Sequence, residues 1–216
     1  MPFRNRQEAG TRLAAALASF KAQCPVVLAL PRGGVPVAAE VAVRLAAPLD
    51  LVLVRKIGAP GQPELAMGAV AEGDPPVTLR NELVVRALRI EEREFERVRD
   101  RELIEIERRR QAYLGDRPRI DVAGRLAILV DDGIATGMTI RAAARAMASR
   151  RPSRVVIAAP VAALDVATDL RREIGDVVCL EEYEHLFAIG RHYADFSQVS
   201  DEDVRLILSR QPSLVA

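Results

Sequence analysis

The sequence is poor in aromatic residues, histidine and cysteine. It has no tryptophan, five phenylalanines and three tyrosines among 216 residues, so its core must be mostly aliphatic. The two cysteines, Cys24 and Cys179, are too few for a disulfide framework. The two histidines and two cysteines lie far apart, so no zinc site of ordinary ligand spacing can be drawn.

Long apolar segments and an excess of one charge are also missing. No run approaches the ~18 apolar residues of a membrane span, and the apolar piece at 13–18 is too short for a signal-peptide core. We therefore expect a cytoplasmic protein with no membrane partner. The 31 basic and 30 acidic residues leave a net charge of +1, so we expect no nucleic-acid partner.

Short apolar runs alternate with amphipathic segments along most of the chain. Five buried strands are predicted at 25–30, 49–54, 126–130, 155–161 and 177–180. Helices are predicted at 8–20, 36–46, 138–149, 164–173 and 201–209. This alternation predicts an α/β fold, with a Rossmann-like parallel sheet of about five strands flanked by helices. We expect residues 1–216 to form one domain.

Two segments depart from this rhythm. Residues 57–76 are dense in glycine and proline, which predicts a long mobile loop of the kind that covers a binding site. Residues 82–114 read as a long charged helix, and its part at 89–110 holds eight arginines and eight acidic residues. Because the two signs are interleaved, a solvated helix is favoured over a nucleic-acid-binding one.

The strongest local signal is an apolar strand that ends in Asp131-Asp132 and continues into a turn rich in glycine and threonine. In an open α/β sheet, ligands bind at the carboxyl ends of strands. The backbone N–H groups at the start of the following helix suit a phosphate dianion. Two carboxylates beside a phosphate make sense if they hold hydroxyl groups or hydrated Mg²⁺, so the pattern indicates a ribose 5-phosphate group. This turn does not fit a Walker loop, and the turn after the first strand, Pro31-Arg32-Gly33-Gly34, does not fit a dinucleotide fingerprint.

Residues 127–139 resemble the phosphoribosyl-pyrophosphate signature of the type I phosphoribosyltransferases. Twelve of the thirteen positions suit the family pattern, and Gly133 stands where the family has an aliphatic residue or serine. We expect that glycine to loosen the loop. The Pro-Arg-Gly-Gly-Val-Pro turn at 31–36 and Arg-Lys-Ile-Gly-Ala-Pro at 55–60 resemble a group of bacterial phosphoribosyltransferase-domain proteins of undefined substrate.

The resemblance implies a Mg²⁺-dependent enzyme that moves ribose 5-phosphate from phosphoribosyl pyrophosphate to a small nitrogen nucleophile, a nucleobase, and releases pyrophosphate. It implies catalytic roles for Asp131, Asp132, Arg55 and Lys56, with the two aspartates holding the metal through the ribose diol or water. Substrate binding would involve Arg32, Gly33, Gly34, Gly133, Ile134, Ala135, Thr136, Gly137, Met138 and Thr139. The alternative is a non-catalytic regulator that binds the donor or a nucleotide.

The acceptor would bind under a small C-terminal hood at about 181–200, as the resemblance implies. Phe187 and Tyr193 are the candidate stacking surfaces for a planar base there. The competing interpretation is that these rings pack against the C-terminal helix. The helices rich in alanine and valine would also allow a homodimer.

Overall fold

The computed structural model describes residues 2–211, and its centre is a five-stranded parallel sheet. Its strands are β1 (Val26–Ala29), β2 (Leu49–Leu51), β6 (Leu126–Val130), β7 (Arg154–Ala163) and β8 (Asp176–Tyr183). They lie in the order β2-β1-β6-β7-β8, and every neighbouring pair is parallel. The predicted parallel α/β architecture is confirmed.

Helices cover both faces of this sheet, which is why its inner strands are continuous apolar runs. They are α1 (Arg6–Ala16), α2 (Gly34–Leu45), α5 (Met138–Ala148), α6 (Leu164–Glu173) and α7 (Asp201–Ser209). Alternate residues of β1 pack on opposite faces of the sheet. Val27 and Ala29 join the core that includes α1, α2 and α7, while Val26 and Leu28 join the core that includes α5 and α6.

The segment predicted as a long mobile loop is largely a second sheet, so that prediction is wrong. Strands β3 (Val54–Ala59), β4 (Gln62–Ala71) and β5 (Val77–Arg80) form an antiparallel sheet in the order β3-β4-β5. The glycines and prolines serve its turn and irregular pairing. Gly61 has a φ of 72° at the tip between β3 and β4, and the pairing register shifts around Gly58.

The charged segment forms two helices where one was predicted at 82–114. Helix α3 (Glu82–Ala87) and helix α4 (Glu92–Leu114) are separated by a short break, in which Arg89 has a φ of 52°. A right-handed helix cannot continue through that backbone conformation. The apolar stripe of α4 packs inward through Phe95 and Ile106, and its charged faces are solvated, as predicted.

The segment that follows β8 returns to the N-terminus of the chain. It contains a short 3-10 helix (Ile189–His192) and a backbone bridge in which Phe3 N–H donates to the His192 carbonyl (2.8 Å). Ala194 N–H donates in turn to the Phe3 carbonyl (2.7 Å). The segment after β8 therefore pairs with the N-terminal residues of the described chain. Within residues 2–211, no helix combines the length and apolarity needed to cross a membrane.

Candidate functional site

The two turns singled out in the sequence are neighbours in space. Strands β1 and β6 pair in parallel, so the turn after β1 and the loop after β6 leave the same edge of the sheet. The chain passes from β1 to β2 on one side, while β6 lies on the other side. The strand order thus reverses between β1 and β6, which is where open α/β sheets bind their ligands.

The turn after β1 packs closely against the acidic pair, Asp131 and Asp132. A Cβ atom on Gly33 would lie 2.0 Å from Asp132 Oδ2, and one on Gly34 would lie 2.7 Å from the Val130 carbonyl oxygen. Neither glycine has a positive φ, so closeness of approach is what demands the missing side chains. The two turns therefore interlock, because the Asp132 carboxylate packs directly against the backbone of Gly33.

Residues 131–139, the phosphate loop, run from β6 to the first turn of α5. Ile134 anchors the loop beside β7, because its N–H donates to the Val161 carbonyl (2.9 Å) and its carbonyl accepts from Ala163 N–H (2.9 Å). Gly137 caps the helix with a φ of 72°. The loop borders a cleft of about 140 Å³. Its lining residues are Asp131, Gly133, Ile134, Ala135, Thr136, Gly137, Thr139 and Ile140.

Side chains along this loop divide between solvent and core. Ala135 and Thr136 are exposed and Thr139 is half-buried, so both hydroxyls stand at the opening of α5. Ile134 is buried, and Met138 packs against the core on the α5 face. We infer that Ile134 and Met138 could offer a ligand only their backbone.

Gly133 stands where a side chain would not fit, so its small size has a packing reason; that it loosens the loop stays a prediction. A Cβ atom there would lie 2.5 Å from the Ile189 side chain. Its φ is not positive, so the glycine answers a close approach by the segment after β8. Where the family has a larger residue, this chain has glycine, and the Ile189 side chain packs against it.

The acidic pair is electrostatically strained by burial. Burial raises the pKa of Asp131 well above its ordinary value, and the neighbouring charge of Asp132 raises it further. Burial also raises the pKa of Asp132, while the guanidinium of Arg6 opposes that shift. Asp131 Oδ1 accepts from Asp132 N–H (2.9 Å), which fixes the first carboxylate beside the cleft.

Arg6 is a site residue that the sequence did not reveal. It begins α1 and is only 8% exposed, and its Nε donates to Asp132 Oδ2 at 2.8 Å. The guanidinium carbon lies 3.8 Å from the centre of the Phe196 ring. Because 126 positions separate Arg6 from Asp132, no local motif could have paired them.

The cationic side chains predicted to bind pyrophosphate are engaged elsewhere. Arg55 Nε donates to Glu102 of α4 (2.7 Å), and Lys56 Nζ donates to the Glu64 carboxylate (3.2 Å) and carbonyl (2.8 Å). Both line a groove of about 560 Å³ between α4 and the β3–β4 hairpin (54–71), and neither lines the phosphate-loop cleft.

Arg32, the third predicted pyrophosphate ligand, reaches the start of α7. Its Nη1 donates to Asp201 Oδ1 at 3.4 Å, and Tyr113 Oη donates to the same oxygen at 2.7 Å. Burial raises the pKa of Tyr113 to about 12, with a further contribution from Asp201, so the phenol stays protonated as the donor. The backbone of Arg32 thus lies in a turn of the site, whereas its side chain is hydrogen-bonded to the first residue of α7.

The two predicted stacking rings have different fates. Tyr193 is 5% exposed and packs between Phe3 and Phe196, at centroid distances of 5.5 and 5.1 Å. It has no free face for a base, so its predicted stacking role is wrong; its hydroxyl instead donates to the Asp132 carbonyl (2.7 Å). Phe187 is 81% exposed and free to stack, with Arg191 over its ring.

Comparisons with known proteins bear on the family and the fold. A family model described as a phosphoribosyl transferase domain matches residues 5–193. The crystal structure of TT1426 from Thermus thermophilus is 45% identical and covers 96% of this chain and 98% of that one, with a TM-score of 0.77. Proteins from two Mycobacterium tuberculosis strains, named as candidate phosphoribosyl transferases, are 43% identical over 208 residues.

The match covers 96% of this chain and 46% of each mycobacterial protein, so the chain spans about half the length of these curated relatives. The family model covers both turns of the site, the acidic pair and most of the segment after β8. The chain belongs to the phosphoribosyl transferase domain family.

Proposed function

We propose that the protein transfers ribose 5-phosphate from phosphoribosyl pyrophosphate to a nitrogen nucleophile, a nucleobase, and releases pyrophosphate. The observation that carries the proposal is the pairing of Asp131 with an open phosphate loop in one cleft at the switch point of the sheet. A carboxylate beside backbone N–H groups at a helix N-terminus matches a ligand that has a diol near a phosphate.

The donor would be held in three places. The 5-phosphate would bind the loop backbone from Gly133 to Gly137 and the hydroxyls of Thr136 and Thr139. Asp131 would accept hydrogen bonds from the ribose hydroxyls. Pyrophosphate would lie toward the turn at Arg32, where a cation stabilises charge that develops on a leaving group. This use of Arg32 requires its side chain to leave Asp201.

The oxygen atoms at this edge of the sheet fit Mg²⁺. That ion prefers one or two carboxylates together with substrate phosphates and water over an all-protein cage. Residues 2–211 contain no cluster of three or more acidic, histidine or cysteine side chains placed for a metal. Asp131, which lines the cleft, would hold Mg²⁺ through the donor's diol or water, where the ion would neutralise pyrophosphate charge; the Asp132 carboxylate is bonded to Arg6 and does not line the cleft, so we do not propose it as a ligand.

Catalysis by this chain would rest on positioning and electrostatics. The interlocked turns keep the cleft in place, and the β3–β4 hairpin carries Arg55 and Lys56 on a separate element. If the hairpin moved toward the cleft, it would bring two cations to the pyrophosphate and exclude water. Phe187 stays a candidate for stacking on the acceptor.

A non-catalytic donor-binding regulator is the second candidate. The observation in its favour is that the cations Arg32, Arg55 and Lys56 are all paired with carboxylates of the chain itself. Such a protein would bind the donor through the phosphate loop without stabilising the leaving group.

Pyrophosphate release from phosphoribosyl pyrophosphate, with Mg²⁺ and a panel of purine and pyrimidine bases, tests the proposal. We expect release that requires one base and falls by about 100-fold in Asp131→Asn, because a positioning contact in the reacting geometry is lost. Asp169→Asn, an exposed substitution on α6, is the matched control and should behave as wild type. Tight donor binding without release for any base would favour the regulator.

A further inference from the structure

Arg6 is held from three sides by different parts of the chain. Its Nε donates to Asp132 Oδ2 and its Nη1 to the Ser197 carbonyl, both at 2.8 Å. The Phe196 ring covers one face of the guanidinium. A buried arginine with these partners has little freedom to move, and its charge is poorly screened by water.

Asp132, its partner, is committed to the protein framework. The wedge against Gly33 closes one side of its carboxylate, and Arg6 occupies Oδ2. Tyr193 binds its backbone carbonyl. The phosphate-loop cleft is lined by Asp131 and not by Asp132. Two adjacent carboxylates thus face different surroundings, one the cleft and the other an internal cation.

We propose that Arg6 is a positioning residue for donor binding, acting through Asp132 on Asp131. Arg6 fixes the Asp132 side chain, the Asp132 N–H fixes Asp131 Oδ1, and Asp131 alone contacts the ribose hydroxyls. The Arg6 cation offsets the charge of Asp132, which leaves Asp131 as the carboxyl group that the cleft presents to the diol. This inference rests on the proposed function, because it assumes a ribose 5-phosphate group in the cleft.

A purely architectural role for Arg6 makes a different prediction. If the residue only fastened α1 to the segment at 195–199, its loss would weaken all ligands of the phosphate loop equally. A positioning role affects the part of the ligand that Asp131 touches. The discriminating probes are ribose 5-phosphate and 2-deoxyribose 5-phosphate, which share the phosphate and differ by one hydroxyl.

Calorimetric titration of both sugar phosphates should be carried out on wild type, Arg6→Gln, Arg6→Lys, Asp131→Asn and the double variant R6Q/D131N. For Arg6→Gln we expect about tenfold weaker binding of ribose 5-phosphate, since charge-assisted hydrogen bonds contribute roughly this factor or more. Binding of the deoxy sugar should change by less than about twofold. Arg6→Lys should recover part of the loss, because it restores the charge without the planar fork.

The double variant tests the route through Asp131. We expect R6Q/D131N to bind ribose 5-phosphate no more weakly than D131N alone, since the contact that Arg6 supports is already gone. Arg12→Gln is the matched control on the same helix; its partners Glu8 and Glu181 lie outside the cleft, and both affinities should match wild type. Thermal melting of each variant checks that the fold is retained.

Equal losses for both sugars would overturn the positioning role, and so would a further loss in the double variant. Unchanged binding in a folded Arg6→Gln would overturn it as well, and Arg6→Lys covers the case in which the glutamine variant does not fold. Failure of the proposed function looks different. In that case wild type releases no pyrophosphate with any base, whatever the Arg6 variants do to sugar-phosphate binding. Wild type that binds neither sugar phosphate would contradict both proposals.

Discussion

The phosphate loop and the β3–β4 hairpin differ in how much of their proposed function is already assembled. The loop is wedged against Gly33, bridged to β7 through Ile134 and bonded to Tyr193. The two cations of the hairpin have other partners: Arg55 binds Glu102 of α4, and Lys56 binds Glu64, whose side chain is 98% exposed. Under the proposed function, the half that would bind the sugar phosphate is therefore preformed, whereas the half that would bind pyrophosphate would have to exchange ion-pair partners.

The two halves differ in how deeply the contacts that hold them are buried. The preformed loop is already ordered once the protein has folded, so it loses little conformational entropy when a ligand binds. Exposed ion pairs are weak, at about 0–1 kcal/mol, and can be exchanged for a charged ligand. If the proposed function holds, we expect the mobile step on the side that would bind pyrophosphate.

Substituting Gly33 by alanine should break the preformed half most severely. The new Cβ would displace the Asp132 carboxylate, and a misplacement of about 1 Å can lower a rate by about 100-fold. Base-dependent pyrophosphate release is the measurement. Gly124→Ala is the control: its positive φ adds strain, yet nothing lies within 4 Å of the Cβ, so release should not change. Normal turnover in Gly33→Ala would show that the interlock is dispensable.

Gly133→Ala should sharpen the comparison by testing the loop's outer contact. The added methyl group meets Ile189, and overpacking typically destabilises by about 1–3 kcal/mol. The free energy of unfolding in denaturant is the measurement. In an Ile189→Ala background, which lacks the clashing side chain, Gly133→Ala should destabilise the protein less than it does in the wild type. A Gly133→Ala variant as stable as wild type would indicate a loose loop after all.

Glu64→Gln should produce the smallest effect, on the hairpin half. Removing the carboxylate leaves Lys56 with only the Glu64 carbonyl as partner, and we expect a two- to fivefold lower KM for the donor, in line with the ~1 kcal/mol limit of an exposed pair. Steady-state kinetics with varied donor provide the measurement, and Glu202→Gln on the exposed face of α7 is the control. A raised KM would mean that Glu64 helps the hairpin to bind the donor.

Sequence patterns predicted the parts of the molecule in which local residues determine local structure. The buried strands follow from short apolar runs. The turn after Val130 follows from Asp131-Asp132 and the glycine that comes next. The β3–β4 hairpin was mistaken for a loop, because glycine and proline are abundant both in loops and at irregular strand pairings such as the one at Gly58. The break at Arg89 was missed because nothing in its side chain demands a positive φ.

The missed part of the site is long-range. Arg6 lies far from Tyr193 and Phe196 in sequence, and only the folded chain brings Arg6 and Tyr193 to Asp132 and Phe196 to Arg6. The aromatic cluster near residue 190 was noticed, yet a ring that stacks on a ligand and one that supports a loop look alike in sequence. Burial distinguishes them, and burial is a property of the fold.

The bond between Arg6 and the Ser197 carbonyl spans 191 positions, which has a consequence for synthesis. Ribosomes add about 5–20 residues per second, so Arg6 waits on the order of 10–40 s for that partner. Until the late segment emerges, the acidic pair lacks the framework that surrounds it in the finished molecule. A nascent chain would thus complete the proposed sugar-phosphate site only after the segment around Ser197 has been synthesised.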